Sequence, residues 1–537
     1  MPSTARPTAR DGIADAKSTS GHALDALRAI VGAAHLSTGD GLRGFATDIF
    51  RAREMPVAMA SPGTVDELQQ LVRVAARAGL ALVARGGGSS YTDGYLPTQA
   101  ASLLIDLRRL DRIVEINAQD GYVTVEAGVT WAALADTLAE RGLRTPFRGP
   151  FSGAVATVGG TMAQNGISHG TGAWGVAAAS AVSLDVVLAS GELLRTGSAV
   201  VGAAPFSRYY GPDLTGLFLG DCGAFGIKAR VTLPLLCASK AFAAVSFGFD
   251  SFDAMHAGMR AAAREAVDDT HFGLDAAMIR GQLRRRRRWR DTLKIARGVF
   301  ATAPGIVSAI GQLMRMTMAG ERAMGASAYL AHYIVEGADA REVALRATRL
   351  RRAVLAHGRE IANTIPTVMR AAPFERMFHV LGPKGERWVP VHGLLPHSRV
   401  PAFRAALLGL LALHKAHMDL HGVWIGGLFE CVGPGAFMIE LGLYWPDAPN
   451  DYHLTTLDNA ALAALPVHAS DPALGAWIGE LRGLLIALFR AHGAAHFQLG
   501  KVYPYASALD DAGRSVAHGI KRALDPQGFM NPNVLGL

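Results

Sequence analysis

The stretch "ARGGGSSYTDGYLP", residues 84–97, places three glycines and two serines directly after a short apolar run. Glycine lets the backbone take conformations and approaches that a Cβ forbids. Two similar loops follow: "TVGGTMAQNG" from Thr157 and "GDCGAFG" from Gly220. A chain with three such loops must either wrap a ligand with its backbone or bring backbone segments into close contact. Glycine clusters suit phosphate, because small residues let amide N–H groups converge on an anion and serine hydroxyls add donors.

Two phosphate folds fail on context. The dinucleotide fingerprint sits between a strand and a long helix, with an acid about twenty residues on. "GDCGAFGIKARVTLPL" runs into a strand instead. The spacing that ends in Lys-Ser or Lys-Thr in nucleotide-triphosphate loops is absent.

The surrounding pattern is α+β. Thr64, with Glu67 three residues on, starts a helix whose apolar positions are Leu68, Leu71, Val72 and Ala75 and which stops at Gly79. "ALVARGGG" is a strand running into the first loop, and "LLIDL", "RIVEIN" and "YVTVEAG" are further strands, the last two joined at Asp120-Gly121. "WAALADTLAERGL" is a helix ending at Gly142, and "VSLDVVLASGELLRTG" is a hairpin through Ser190-Gly191. After about residue 238 glycine thins out. Ala-, Arg- and Leu-rich helices alternate with strands at "HYIVEG", "WVPVHGLL" and "AFMIELGLYW". The expected division is a tail over 1–20, a first domain over 21–237, a second over 238–500, and a return of 501–537 onto the first.

At 537 residues the chain exceeds one ordinary core. Its net charge of +8 suits an anionic partner. Cys222, Cys237 and Cys431 form no CxxC pair, which argues against a disulfide framework or structural zinc site and fits a reducing, cytoplasmic setting. No metal ligand set is expected. The first twenty residues read as a disordered tail without the apolar core of a secretory signal. No uninterrupted apolar run reaches the roughly 18 residues needed to span a bilayer. Residues 283–320 join five consecutive arginines to Trp289 and an apolar stretch. They read either as a buried helix with a basic lead or as a peripheral anchor on the inner membrane face, and nucleic acid is not the expected partner.

The order and spacing of the three loops resemble the FAD-binding domain of the vanillyl-alcohol oxidase/p-cresol methylhydroxylase flavoprotein family. The resemblance runs from "FATDIFRAREMPVAMASPGTVDELQQLVRVA" to "VTLPL", and "LDPQGFMNPNVL" resembles the family's closing segment. It implies a two-subdomain FAD-binding domain of the p-cresol methylhydroxylase type with an α+β cap for the substrate. Arg85, Gly86, Gly87, Gly88, Ser89 and Ser90 would wrap the pyrophosphate. Thr157, Gly159, Gly160 and Asn165 would follow the ribityl chain and flavin, and Gly220, Gly226 and Ile227 would add backbone contacts. Members that tether flavin from the first loop carry His where this chain has Ser89, so non-covalent FAD is expected. Asp221-Cys222 stands where the hydroxy-acid branch commonly has Ser-Glu.

A flavin enzyme needs a base for the departing proton and a cation for an anionic substrate. "RWVPVHGLLPHSR" offers His392, His397 and Arg399, and strand alternation groups His392 with Pro390 and Leu394. "AHFQLGKVYPY" offers His496, Gln498, Lys501, Tyr503 and Tyr505 at alternating spacing, as a strand-like site wall. Glu440, Tyr444 and Trp445 read as core packing. His392, His496, Arg399, Lys501 and Tyr503 are the expected catalytic set. The glycolate oxidase/D-lactate dehydrogenase branch implies a small D-2-hydroxy acid as donor and a cytochrome or quinone as acceptor. The phenol-oxidising branch implies a para-substituted phenol held by Tyr and Arg. A flavin-binding subunit without activity of its own is the non-enzyme alternative, and an ether-lipid synthase is disfavoured for want of a recognisable His cluster.

Overall fold

The structure is a computed structural model that describes residues 21–283, 327–374 and 380–537. The expected tail over 1–20 and residues 284–320 of the basic segment lie outside the described residues.

The first four strands are β1 (Leu36–Ser37), β2 (Ala58–Ala60), β3 (Ala81–Arg85) and β4 (Ser102–Asp106), in the order β1-β2-β4-β3. β2 and β3 run parallel to β4, which requires a crossover, and helix α1 (Val65–Ala78) supplies it. The Thr64 hydroxyl accepts from the Glu67 amide at 3.1 Å, and the Glu67 carboxylate accepts from the Gly63 amide at 2.7 Å. Such a cap contributes about 1 kcal/mol. Gly79 ends the helix at φ 65°. Leu68, Leu71, Val72 and Ala75 face the sheet, all fully buried.

The second sheet is antiparallel: β5 (Ile113–Asn117), β6 (Tyr122–Glu126), β7 (Ser183–Val187), β8 (Leu193–Arg195) and β9 (Ile227–Pro234), in the order β5-β6-β9-β7-β8. Helix α2 (Trp131–Ala139) and helix α3 (Val158–Gln164) pack on it. Helix α2 stops three residues before Gly142, which takes φ 66° in the turn that follows.

The third sheet has seven strands: β10 (Ala241–Phe249), β11 (Thr270–Asp275), β12 (Tyr329–Gly337), β13 (Arg359–Ile361), β14 (Arg387–Pro396), β15 (Trp424–Val432) and β16 (Ala436–Trp445). Their order is β13-β10-β12-β11-β15-β16-β14. Successive side chains point to opposite faces. One face, including Phe247, Tyr333, Phe429, Phe437 and Ile439, packs under helices α4 (Phe252–Glu265), α5 (Ala340–Val354), α6 (Val400–His421) and α7 (Pro472–Ala491). The other face meets the glycine-rich loops: Met438 packs with Ile167 and Phe497, and Phe272 meets Phe151 at 6.2 Å. β10, β11 and β15 escape the sequence pattern because both of their faces are covered, which removes the alternation.

The C-terminal segment returns to the first sheet. Leu82 donates its amide to Phe529 O at 2.8 Å and accepts from the Asn531 amide at 2.7 Å.

An ionic cluster joins the second and third sheets. Arg148 reaches Glu336 at 2.9 Å and Asp269 at 2.6 Å, with Arg144 at 3.2 Å from Asp269 and Arg370 at 2.6 Å from Glu336. Burial pushes the Glu336 carboxyl up, but Arg148, Arg370 and Arg144 outweigh it and hold it at about 2. The folded value lies below the unfolded carboxylate range, so this stabilisation is complete above that range and is lost as pH falls through about 2. At neutral pH it is worth about 3 kcal/mol. Glu336→Gln is expected to lower stability by that order near pH 7 and to flatten the acid limb of the stability–pH curve. Denaturant titrations of both forms at neutral and acid pH measure this.

Candidate functional site

The three glycine loops converge. A Cβ on Gly86 would lie 2.4 Å from Thr157 Oγ1, and one on Gly87 would lie 1.8 Å from Val155 O, so the first loop rests directly on the second. The third loop joins them through Gly220 N to Met162 O and Cys222 N to Ala163 O, each 2.9 Å. Asn531 closes the group, donating its side-chain amide to Gly94 O at 2.8 Å and Cys222 O at 2.7 Å.

The amides of Gly87, Gly88, Ser89 and Ser90 have no acceptor among the described residues. Four successive donors without protein acceptors, two of them on glycines with no room for a Cβ, fit a diphosphate, which supplies the missing acceptors. Arg85 is packed between Phe45 and Tyr95, its guanidinium carbon 5.0 and 5.2 Å from the ring centres. Thr157 caps helix α3, accepting from the Gly160 amide at 3.2 Å. A Cβ on Gly159 would lie 2.5 Å from Ala127, and one on Gly226 the same distance from Val186, so these two glycines serve close packing. Asn165 takes φ 55° and accepts from the Ala178 amide at 3.1 Å. Ile227 opens β9 opposite Val187.

Opposite this cradle stands the inner face of the third sheet. His392 on β14 is registered against Glu440 on β16, and Glu440 against Leu428 on β15. The His392 ring is fully buried, stacked 3.9 Å from Phe497 and tilted against Tyr503 at 4.9 Å, and both of its nitrogens lack partners among the described residues. Burial, with help from His496 and Arg482, holds its pKa well below the usual range, so the imidazole is neutral. The backbone amide of His392 donates to the Tyr503 hydroxyl at 2.9 Å. His496 donates Nδ1–H to His392 O at 2.9 Å, leaving Nε2 unprotonated. Tyr91 lies 6.0 Å from His392. Arg482 on helix α7 is 3% exposed; it donates to Tyr91 O at 2.7 Å and makes no ion pair among the described residues. Its charge reaches Tyr503 and Tyr91. Glu440, partly open toward the loops, is pushed up to about 7 by burial.

The structure therefore brings His392, His496 and Tyr503 together and separates two other expected site residues from them. Arg399 is exposed on the turn before helix α6, because the polypeptide leaves the sheet at Pro396. Lys501 is not part of the wall: its ammonium donates to Asp93 O at 3.2 Å, Leu96 O at 3.0 Å and Asn531 Oδ1 at 2.5 Å. Residues 495–505 are not a strand. Only Ala495 bridges Leu394, and Gln498 takes φ 51°. Glu440 is not core packing but faces the site, whereas Trp445 is core and Tyr444 stacks on Trp424 at 3.8 Å. Sequence reasoning missed Tyr91 and Arg482 and assigned Glu440 to the core. Tyr91 stood beside the first loop, and a charged residue inside the apolar face of helix α7 was the available signal for Arg482.

Comparison with known proteins agrees with this geometry. Residues 56–197 match the FAD binding domain family. The 1'-carboxy-chondrochloren decarboxylase of Chondromyces crocatus is 32% identical over 217 residues, covering 39% of this chain and 39% of that protein. A probable mitochondrial D-lactate dehydrogenase of Danio rerio is 29% identical over 257 residues, covering 46% and 50%. The chain thus matches about half or less of the length of these curated relatives. The crystal structure of p-cresol methylhydroxylase with substrate bound shares the fold over 97% of both chains, with a TM-score of 0.71 and 18% identity. FAD is the cofactor that this family match indicates, and the first two glycine loops lie within the matched residues.

Gly87→Ala puts a methyl group against Val155 O, and the loops must separate to admit it. Purified variant protein is expected to carry little FAD, read as the visible flavin absorbance relative to protein.

Proposed function

We propose that this chain, which has an FAD binding domain and shares the fold of p-cresol methylhydroxylase, is an FAD-linked oxidoreductase that acts on a para-substituted phenol held as its phenolate. The observation that carries the reading is Arg482, a buried cation that makes no ion pair among the described residues, next to Tyr91 and Tyr503. A buried cation without a counter-ion is costly, and a bound anion relieves that cost. Two tyrosines beside it can donate to the same oxygen and stack on an aromatic ring.

Bound FAD supplies the hydride acceptor. The protein does the rest. Arg482 and the two phenols hold the substrate oxygen and stabilise its negative charge. Glu440, its pKa raised by burial to about 7, accepts the proton released as the phenol ionises. Phe497 and Met438, packed on Ile167, line the sheet against the loops and keep water from the reacting carbon. Reoxidation by a cytochrome or quinone belongs to the same proposal.

A second reading keeps the small D-2-hydroxy acid as substrate. It is favoured by the neutral imidazoles of His392 and His496, either of which can take a hydroxyl proton, with Arg482 holding the carboxylate.

Anaerobic mixing of the holoenzyme with p-cresol, 4-ethylphenol, D-lactate and glycolate separates the readings. Bleaching of the flavin band by phenols alone is expected; bleaching by hydroxy acids alone would overturn the phenol assignment in favour of the second. Arg482→Met is expected to lower kcat/KM ~10–100-fold, the loss of a charge-assisted contact. Glu440 must be ionised to act, so the rate is expected to rise with pH through about 7. In Glu440→Gln that limb disappears and kcat falls ~10²–10⁴-fold.

A further inference from the structure

The site-facing row of the sheet continues beyond Glu440. Ser246 on β10 is registered against His332 on β12, and His332 against Phe272 on β11. Gly273 and Leu274 face Phe429 and Leu428, which sets Phe272 level with Glu430 on β15. Glu430 is in turn opposite Met438, and Met438 opposite Leu394. Because the side-chain period is two, His332, Phe272, Glu430 and Met438 point to the same face as Glu440 and His392.

Beyond Glu440, two polar atoms on this face have no partner among the described residues. Glu430 is 4% exposed, and its Oε1 has no hydrogen bond among the described residues. His332 is 1% exposed; its Nδ1 lies 2.8 Å from Ser246 Oγ, while its Nε2 has no partner among the described residues. Buried polar groups are almost always paired, so two orphans on one face indicate a ligand that supplies the missing bonds. Phe272 lies between them, 5.0 Å from the His332 ring.

We propose that Glu430 and His332 form a second polar subsite, which takes a neutral hydrogen-bonding group, a hydroxyl or amide, at the far end of the para substituent. This rests on the phenol reading above. The partner is neutral because both residues are neutral: burial, then Glu440 and Asp268, push the Glu430 carboxyl well up, and burial lowers His332 to about 3. Glu430 and Glu440 are diagonal neighbours, ~7–8 Å apart, and His332 lies two strands further, ~10 Å. Leu428 and Met438 between them make the connecting stretch apolar, so the substrate is a phenol whose alkyl chain ends in a polar group.

Paired substrates test this on the holoenzyme: 4-(ω-hydroxyalkyl)phenols against 4-alkylphenols of equal chain length, with chain length increased stepwise. At the length that reaches Glu430, the hydroxylated member is expected to have a KM about tenfold lower, one hydrogen bond to a buried group. In Glu430→Leu and His332→Phe that ratio is expected to fall to near one, while kcat for p-cresol stays within a few fold. The ratio compares two ligands on one protein, so general loss of stability cancels from it. A ratio near one at every length in the unmodified enzyme, as expected if ordered water satisfies both atoms, would overturn the subsite alone. A ratio that survives both substitutions would also overturn it. Failure of every phenol to reduce the flavin would overturn the phenol reading and the subsite with it.

Discussion

The first glycine loop lies on the second with no side chain between them, and the rest of the site depends on that contact. Only a residue without a Cβ fits where Gly87 meets Val155 O and Gly86 meets Thr157. The amides from Gly87 to Ser90 have no acceptor among the described residues. The same contact sets the third loop and Asn531 where they can seal the remaining side. Lys501 belongs to that seal. Its three carbonyl-type acceptors come from the first loop region and from Asn531, so it ties the C-terminal return to the cradle rather than facing substrate. Burial lowers its pKa to about 8, despite the nearby charge of Asp93.

The seven-stranded sheet divides its labour by face. The residues under the helices are large and apolar and provide the core of the second half. The residues facing the loops are mixed: His392, Glu440, Glu430 and His332 alternate with Phe272, Leu428 and Met438. Polar groups are tolerable there only because that face meets a ligand-bearing domain rather than a second apolar layer. Arg148, Arg144 and Arg370 with Asp269 and Glu336 hold the two halves in register beside it, and so fix the distance across which the cradle and the sheet face each other.

The cradle was legible in the sequence because its chemistry is local. Runs of glycine need few neighbours to declare themselves, and Thr64 with Glu67 announced helix α1 in four residues. The wall was legible only in part. His392 could be placed by strand alternation, and the structure sets Tyr503 beside it. Arg399 could not be placed, because the point where the strand ends at Pro396 is decided by packing with helix α6 and not by local pattern. Lys501 and the 495–505 segment were misread for a related reason. Alternating polar residues suggest a strand, yet Gln498 at positive φ breaks the extended backbone to let Gly500 approach Thr92. Glu440 was hidden by its neighbours: its strand is apolar throughout, and only the register with His392 reveals that its face is the inner one.

The electrostatics of the wall follow from burial more than from pairing. His392, His332, Glu430, Tyr503 and Tyr91 are all driven toward their neutral forms by desolvation. Arg482 cannot escape in this way, since guanidinium keeps its proton in proteins. Under the proposed reading, one fixed positive charge among these neutral groups receives an anion and places its negative oxygen at one end. On that reading the remainder of the ligand runs along the sheet face past Glu440, whose carboxyl is raised by burial to about 7. The same neutrality that keeps the wall stable without a ligand thus makes the position of the single cation decide which end of the ligand enters first.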